Sequence, residues 1–223
     1  MATASRRWGT LTPTYVLVFI ALGAAINIVG GYAAAATGLV LFLDAIGTCL
    51  VALVLGPWWG ALTAILTSFA LVPVNGPGNI PFGLVGAAAA LVWGYGVREL
   101  GLGRSASRYF VLNLLVVLVV AITATPIVLW LFGGSTGHPS DVITAALTSL
   151  GPVGAVFTDN ILVNLVDKVL TGYLALAAAR ALPAHLVQGA TLPGGPGNGW
   201  VVVVATGIAI ALVTLVALRA IGV

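Results

Sequence analysis

Apolar runs near the twenty residues needed to cross a bilayer, separated by Gly, Pro and a few charges, divide the chain into seven candidate spans. They cover residues 13–32, 39–55, 59–71, 82–97, 109–132, 153–182 and 200–221. The third is short for a crossing and implies tilt or a thinned bilayer. Residues 73–81, PVNGPGNIP, carry so much Pro, Gly and Asn that a non-helical loop is expected there, and 133–151 form the longest internal loop. This pattern predicts an all-α integral membrane protein with a six-helix bundle over 1–182, a Pro/Gly-rich linker over 183–199 and an additional C-terminal transmembrane helix within 200–223.

Polar residues break this pattern most densely at 158–168, TDNILVNLVDK. On a helix Asn160, Asn164, Asp167 and Lys168 fall at i, i+4, i+7 and i+8 and share one face, while Asp159 lies to its side. Each ionisable group buried in a bilayer costs about 2.5 to 3.5 kcal/mol on insertion scales, so this face requires a partner or a solvated cavity. Adjacent residues diverge by about 100° on a helix, so Asp167 and Lys168 need not pair with each other. Lys168 bonded to Asp44 or to a backbone carbonyl would tie the second span to the sixth. Contact with a polar ligand is the competing role for both residues.

Only 6% of the chain is charged and its mean hydropathy is +1.18, which excludes an ordinary soluble domain. The net charge of +3 is spread along the chain with no basic patch, so nucleic acid is not an expected partner; the lipid bilayer is. A cytoplasmic N-terminus puts Arg6, Arg7, Arg98, Arg104, Arg108 and Arg180 inside and only Arg219 outside, as the positive-inside rule favours. The C-terminus is then outside if the seventh span is real. Asn27, Asp44, Asn75, Asn79, Asp159, Asn160, Asn164 and Lys168 thereby converge on the outer half, predicting a polar pocket that opens outward. His138 lies in an outer loop, where solvation or capping competes with ligand contact. Tyr32, Trp130 and Phe157, near outer span ends, fit an aromatic belt or a surface for a stacked ligand.

No phosphate-binding Gly loop, zinc-protease motif, serine-nucleophile motif or Cys/His cluster is present, so neither an enzyme nor a metal or cofactor site is expected. The lone Cys49 sits in an apolar run as packing. Ala21 and Ala25 form a small-x-x-x-small pair in the first span, a spacing that suits close helix approach within the chain as well as between chains.

The run FLDAIGTCLVALVLGPWWGALTAILTSFAL at 42–71, the following Pro/Asn loop and NLVDKVLTGYLA at 164–175 together resemble the S components of energy-coupling factor transporters. The resemblance covers about residues 10–182 and is carried chiefly by LDAIGT and LGPWWGAL. It implies a substrate-binding subunit in a prokaryotic cytoplasmic membrane, taking a vitamin or vitamin precursor from outside. It also implies a transmembrane coupling subunit and two ATPase subunits as partners, with Ala21 and Ala25 on the docking face. Two other functions are compatible with the residues: a ligand-sensing or scaffolding membrane domain, and a proton-coupled carrier titrating Asp44 or Asp167.

Overall fold

A computed structural model describes residues 12–187 and 189–194, so the seventh candidate span and most of the linker lie outside the described residues. The described residues are helical, with no strand. Eight α-helices follow in order: α1 (Pro13–Thr37), α2 (Ile46–Val54), α3 (Pro57–Ala70), α4 (Val72–Asn75), α5 (Phe82–Arg98), α6 (Ala106–Phe132), α7 (Asp141–Ala146) and α8 (Gly151–Ala181). Among the described residues, four helical segments are long and apolar enough to cross a membrane: α1, Pro77–Arg98, α6 and Thr148–Ala181.

The second expected span departs furthest from its sequence reading. Of 39–55 only nine residues are helical. At 1.5 Å per residue α2 is about 13 Å long, less than half of a hydrocarbon core of about 30 Å. Gly38 ends α1 in a left-handed conformation, and 39–45 run to α2 without helix, with Leu43 also at positive φ. Hydropathy could not reveal this, because Leu39 to Leu43 are all apolar while their backbone is irregular. The loop at 73–81 differs in the opposite sense, since α4 and a 3-10 turn at Pro77–Asn79 wind most of it. Within 133–151, likewise, lie α7 and a second 3-10 turn, Thr148–Leu150.

Short as it is, α2 occupies the centre of the bundle, packed against α1, α3, α5 and α8 with eight of its nine residues buried. A buried helix this short must find outside partners for its terminal backbone groups. Asn27 of α1 serves the N-terminal end: its Oδ1 accepts from the amides of Gly47 at 2.7 Å and Thr48 at 3.3 Å. Arg98 of α5 serves the other, its guanidinium donating to the carbonyls of Ala52 at 2.7 Å, Leu53 at 3.0 Å and Val54 at 3.4 Å. A cation at a helix C-terminus also complements the macrodipole. Close approach of α1 depends on glycine: a Cβ on Gly47 would collide with the Gly23 carbonyl, and one on Gly30 with that of Leu43.

These glycines, rather than the Ala21/Ala25 pair, carry the internal packing of α1. Ala21 and Ala25 are exposed, among the equally exposed Leu17, Val18, Leu22 and Val29. Deeper in the bundle a second polar network is closed on itself. Trp93 donates to Asn113 Oδ1 at 2.9 Å, Asn113 donates to the Tyr109 carbonyl at 2.9 Å, and the Tyr109 hydroxyl donates to the Gly172 carbonyl at 2.8 Å. Cys49 is buried in this core, with its sulfur 3.9 Å from the Tyr109 hydroxyl.

Candidate functional site

A cavity of about 540 Å³ lies where the C-terminal parts of α1, α3 and α6 meet the N-terminal parts of α2, α5 and α8. That volume falls within the range of small-molecule sites. Three non-spanning segments border it: 39–45, the α4 turn with Pro77–Asn79, and the loop containing His138. Asp44, Asn75, Asn79, His138, Asn160, Asn164 and Lys168 all line it.

Three of the four residues that spacing puts on one face of α8 line the cavity, and the fourth, Asp167, does not. Asn160, Asn164 and Lys168 stand one turn apart along the cavity wall. Asn160 donates to the Val156 carbonyl at 3.0 Å and Asn164 to the Asn160 carbonyl at 2.8 Å. Asn164 is 1% exposed, and its side-chain oxygen has no hydrogen-bond partner among the described residues. A buried carbonyl left bare costs about 1 to 3 kcal/mol, so this atom calls for a donor from the cavity.

Asp167 and Lys168, which their spacing leaves free to pair or not, do pair at 2.6 Å, both nearly or fully buried. The other Asp167 oxygen accepts the amides of Phe42 at 3.1 Å and Leu43 at 2.9 Å. The carboxylate thus fixes α8 to the irregular segment ahead of α2, which holds Leu43 in its strained conformation. Lys168 Nζ lies 5.7 Å from the centre of the Phe42 ring, and His138 stacks on the same ring with centroids 4.5 Å apart. Phe42, invisible as a site residue in an apolar run, is therefore the platform joining loop, segment and α8.

The His138 loop is folded around Asp141, whose carboxylate accepts from the Ser135 hydroxyl at 2.7 Å and from the amides of Gly137 at 2.7 Å and Thr136 at 3.3 Å. His138 Nδ1 accepts the Ser140 amide at 3.2 Å, which in the neutral ring puts the proton on Nε2. Burial pushes the His138 imidazole below its ordinary range, against the opposing pull of the Asp141 and Asp167 carboxylates. A neutral ring is thus favoured by the closed loop, which takes up fewer protons than the opened one as pH falls through about 6.5. Closure should be fully stable above that pH and lost progressively below it. Amide hydrogen exchange over 135–140 is expected to speed up on going from pH 7.5 to 5.0, after correction for intrinsic rates, and His138→Gln should flatten that dependence.

Five other candidates stand apart from the cavity or merely support it. Asn27 is fully buried and saturated: besides its two amide acceptances, it donates to Thr48 Oγ1 at 2.8 Å and Thr67 Oγ1 at 3.0 Å, and only those two threonines reach the cavity wall. Asp159 turns sideways to accept from Thr144 of α7 at 2.9 Å. Trp130 is 85% exposed on the outside of the bundle, away from the lining. Ala21 and Ala25, already described, lie on the outer face of α1. Asn75 and Asn79 do border the cavity, where Asn79 is tied to the Ser68 carbonyl at 3.0 Å. Phe82 and Phe132, not singled out by sequence, add aromatic walls, with ring centroids 5.8 Å apart.

The chain matches no protein-family model, and neither a curated protein nor a solved structure shows significant similarity to it.

Proposed function

We propose that this chain captures a small, partly polar solute in the cavity and serves as the substrate-binding subunit of an ATP-driven uptake system of the energy-coupling factor kind. The cargo would be a vitamin or vitamin precursor. The bordered cavity carries this reading, because it combines a ligand-sized volume with a buried, partnerless Asn164 oxygen and aromatic walls. The described residues hold no metal-binding group of side chains, and the sequence has no phosphate loop, so ATP hydrolysis falls to partner subunits. Orientation follows the cation distribution: N-terminus in the cytoplasm, cavity toward the outside.

Extraction of the purified protein and mass spectrometry of what it releases tests the capture step. A stoichiometric small molecule is the expected result; a protein that is empty, and that no solute stabilises, would defeat the reading. Docking is tested separately. Exposure of Ala21 and Ala25 suits a face on which a coupling subunit's helix could approach closely. Replacing both by leucine is expected to cut uptake in cells about tenfold or more while leaving solute affinity of the purified chain within about twofold, since a bulky side chain prevents close helix approach. Unchanged uptake would exclude docking there, and binding without uptake by the unaltered chain in cells that supply the partners would favour a sensor.

A further inference from the structure

Charge is distributed along this bundle in two opposed caps. Four of the chain's five acidic residues, Asp44, Asp141, Asp159 and Asp167, lie toward the cavity end, where Lys168 is the one Lys or Arg among the described residues. Arg98, Arg104, Arg108 and Arg180 lie at the other end with Glu99. Such asymmetry raises the local concentration of cations at the cavity mouth and repels anions.

Inside, the same imbalance holds at closer range. Lys168 is already matched by Asp167, and His138 presents the neutral form to its Ser140 partner. Asp44 remains: it lines the cavity and shares the field of the Lys168 ammonium with Asp167, yet its carboxylate makes no hydrogen bond or ion pair with any other described residue, so two carboxylates face one ammonium. The N-terminus of α2 follows two residues later, but its macrodipole offsets only roughly half a unit charge. The Gly47 and Thr48 amides that an anion would seek there are occupied by Asn27. Asp44 and the bare Asn164 oxygen can both take a hydrogen donor from the occupant. The ring faces of Phe42, Phe82 and Phe132 suit a flat or cationic group.

Resting on the small-solute reading above, we infer that the occupant is an organic monocation, an amine or a nitrogen-heteroaromatic cation, whose positive group sits at Asp44. The ligand then supplies the one charge that the wall lacks, and its ring lies among the phenylalanines.

Three probes of one shape and different charge test this on the full chain in nanodiscs at pH 7: 1-methylnicotinamide, nicotinamide and nicotinate, titrated by thermal shift. The cation is expected to bind tightest and the carboxylate weakest. Asp44→Asn, nearly isosteric and keeping an oxygen that can accept from the residue's own backbone amide, should keep the unfolding temperature of the empty protein and weaken the cation about 30-fold or more, leaving nicotinamide within about threefold. Nicotinate binding as well as the cation, or Asp44→Asn leaving cation affinity unchanged, overturns the charge assignment while the small-solute reading stands. Should none of the three bind, the charge at pH 7 of the molecule extracted from the protein decides: a cation supports the inference, and a neutral or anionic molecule overturns it. An extract with no small molecule removes both the inference and the reading beneath it.

Discussion

Replacing Asp167 by alanine is expected to be the most damaging single change in the cavity wall, lowering stability by about 3 to 5 kcal/mol, the range for removing one partner of a buried ion pair. The substitution strips three donors at once. Lys168 Nζ is left with no carboxylate, and the amides of Phe42 and Leu43 lose their acceptor. Leu43 is also held at positive φ there, a conformation that costs about 1 to 2 kcal/mol and persists only while surrounding bonds enforce it. Segment 39–45 should therefore relax, carrying Asp44 and Phe42 out of the wall.

A graded series separates charge from anchoring. Asp167→Asn keeps an oxygen for the two amides and loses only the charge, so its loss should be smaller than that of alanine. Lys168→Met leaves the carboxylate with two backbone donors and should be milder again. Combining Asp167→Asn with Lys168→Met removes both charges and should recover part of the stability lost in Asp167→Asn alone. Thermal unfolding in detergent and chymotryptic cleavage at Phe42 and its leucine neighbours read out the series. A Lys168→Met protein less stable than Asp167→Ala would show that the ammonium, and not the carboxylate, anchors the segment.

The face of α8 was legible because a continuous helix turns spacing into geometry: i, i+4 and i+8 put Asn160, Asn164 and Lys168 on one wall wherever the helix packs. The limits of α3, α5, α6 and α8 fell within about three residues of those suggested by Pro, Gly and hydropathy, and α1 began where expected but ran five residues past its expected end. What escaped was every contact made by a polar side chain to the backbone of another element. Asn27 looked like a pocket residue, since polarity in a span signals an unmet need, and the sequence does not say that an unsatisfied helix terminus rather than a ligand meets it. Phe42 and Leu43 looked like span interior for the converse reason: apolar side chains conceal an irregular backbone.

Arg98 is the sharpest example of that limit and carries the second large prediction. Counted as a loop cation it helped to fix orientation, yet it is 4% exposed and spends its guanidinium on the last carbonyls of α2. Water cannot take over those carbonyls, because the end of α2 is itself buried. Arg98→Ala is accordingly expected to cost about 3 kcal/mol, reflecting several charge-assisted bonds lost together and non-additively. Arg98→Lys should recover less than half of this, because one ammonium cannot span three carbonyls as a planar fork does. Exposed Arg104→Ala, at the same end of the bundle, should change stability by less than about 0.5 kcal/mol. Thermal unfolding of the three variants decides the matter: equal effects at Arg98 and Arg104 would return Arg98 to the role of a surface charge. Because α2 also forms part of the cavity wall through Thr48, Arg98→Ala should weaken solute binding from the far end of the bundle, whereas Arg104→Ala should not.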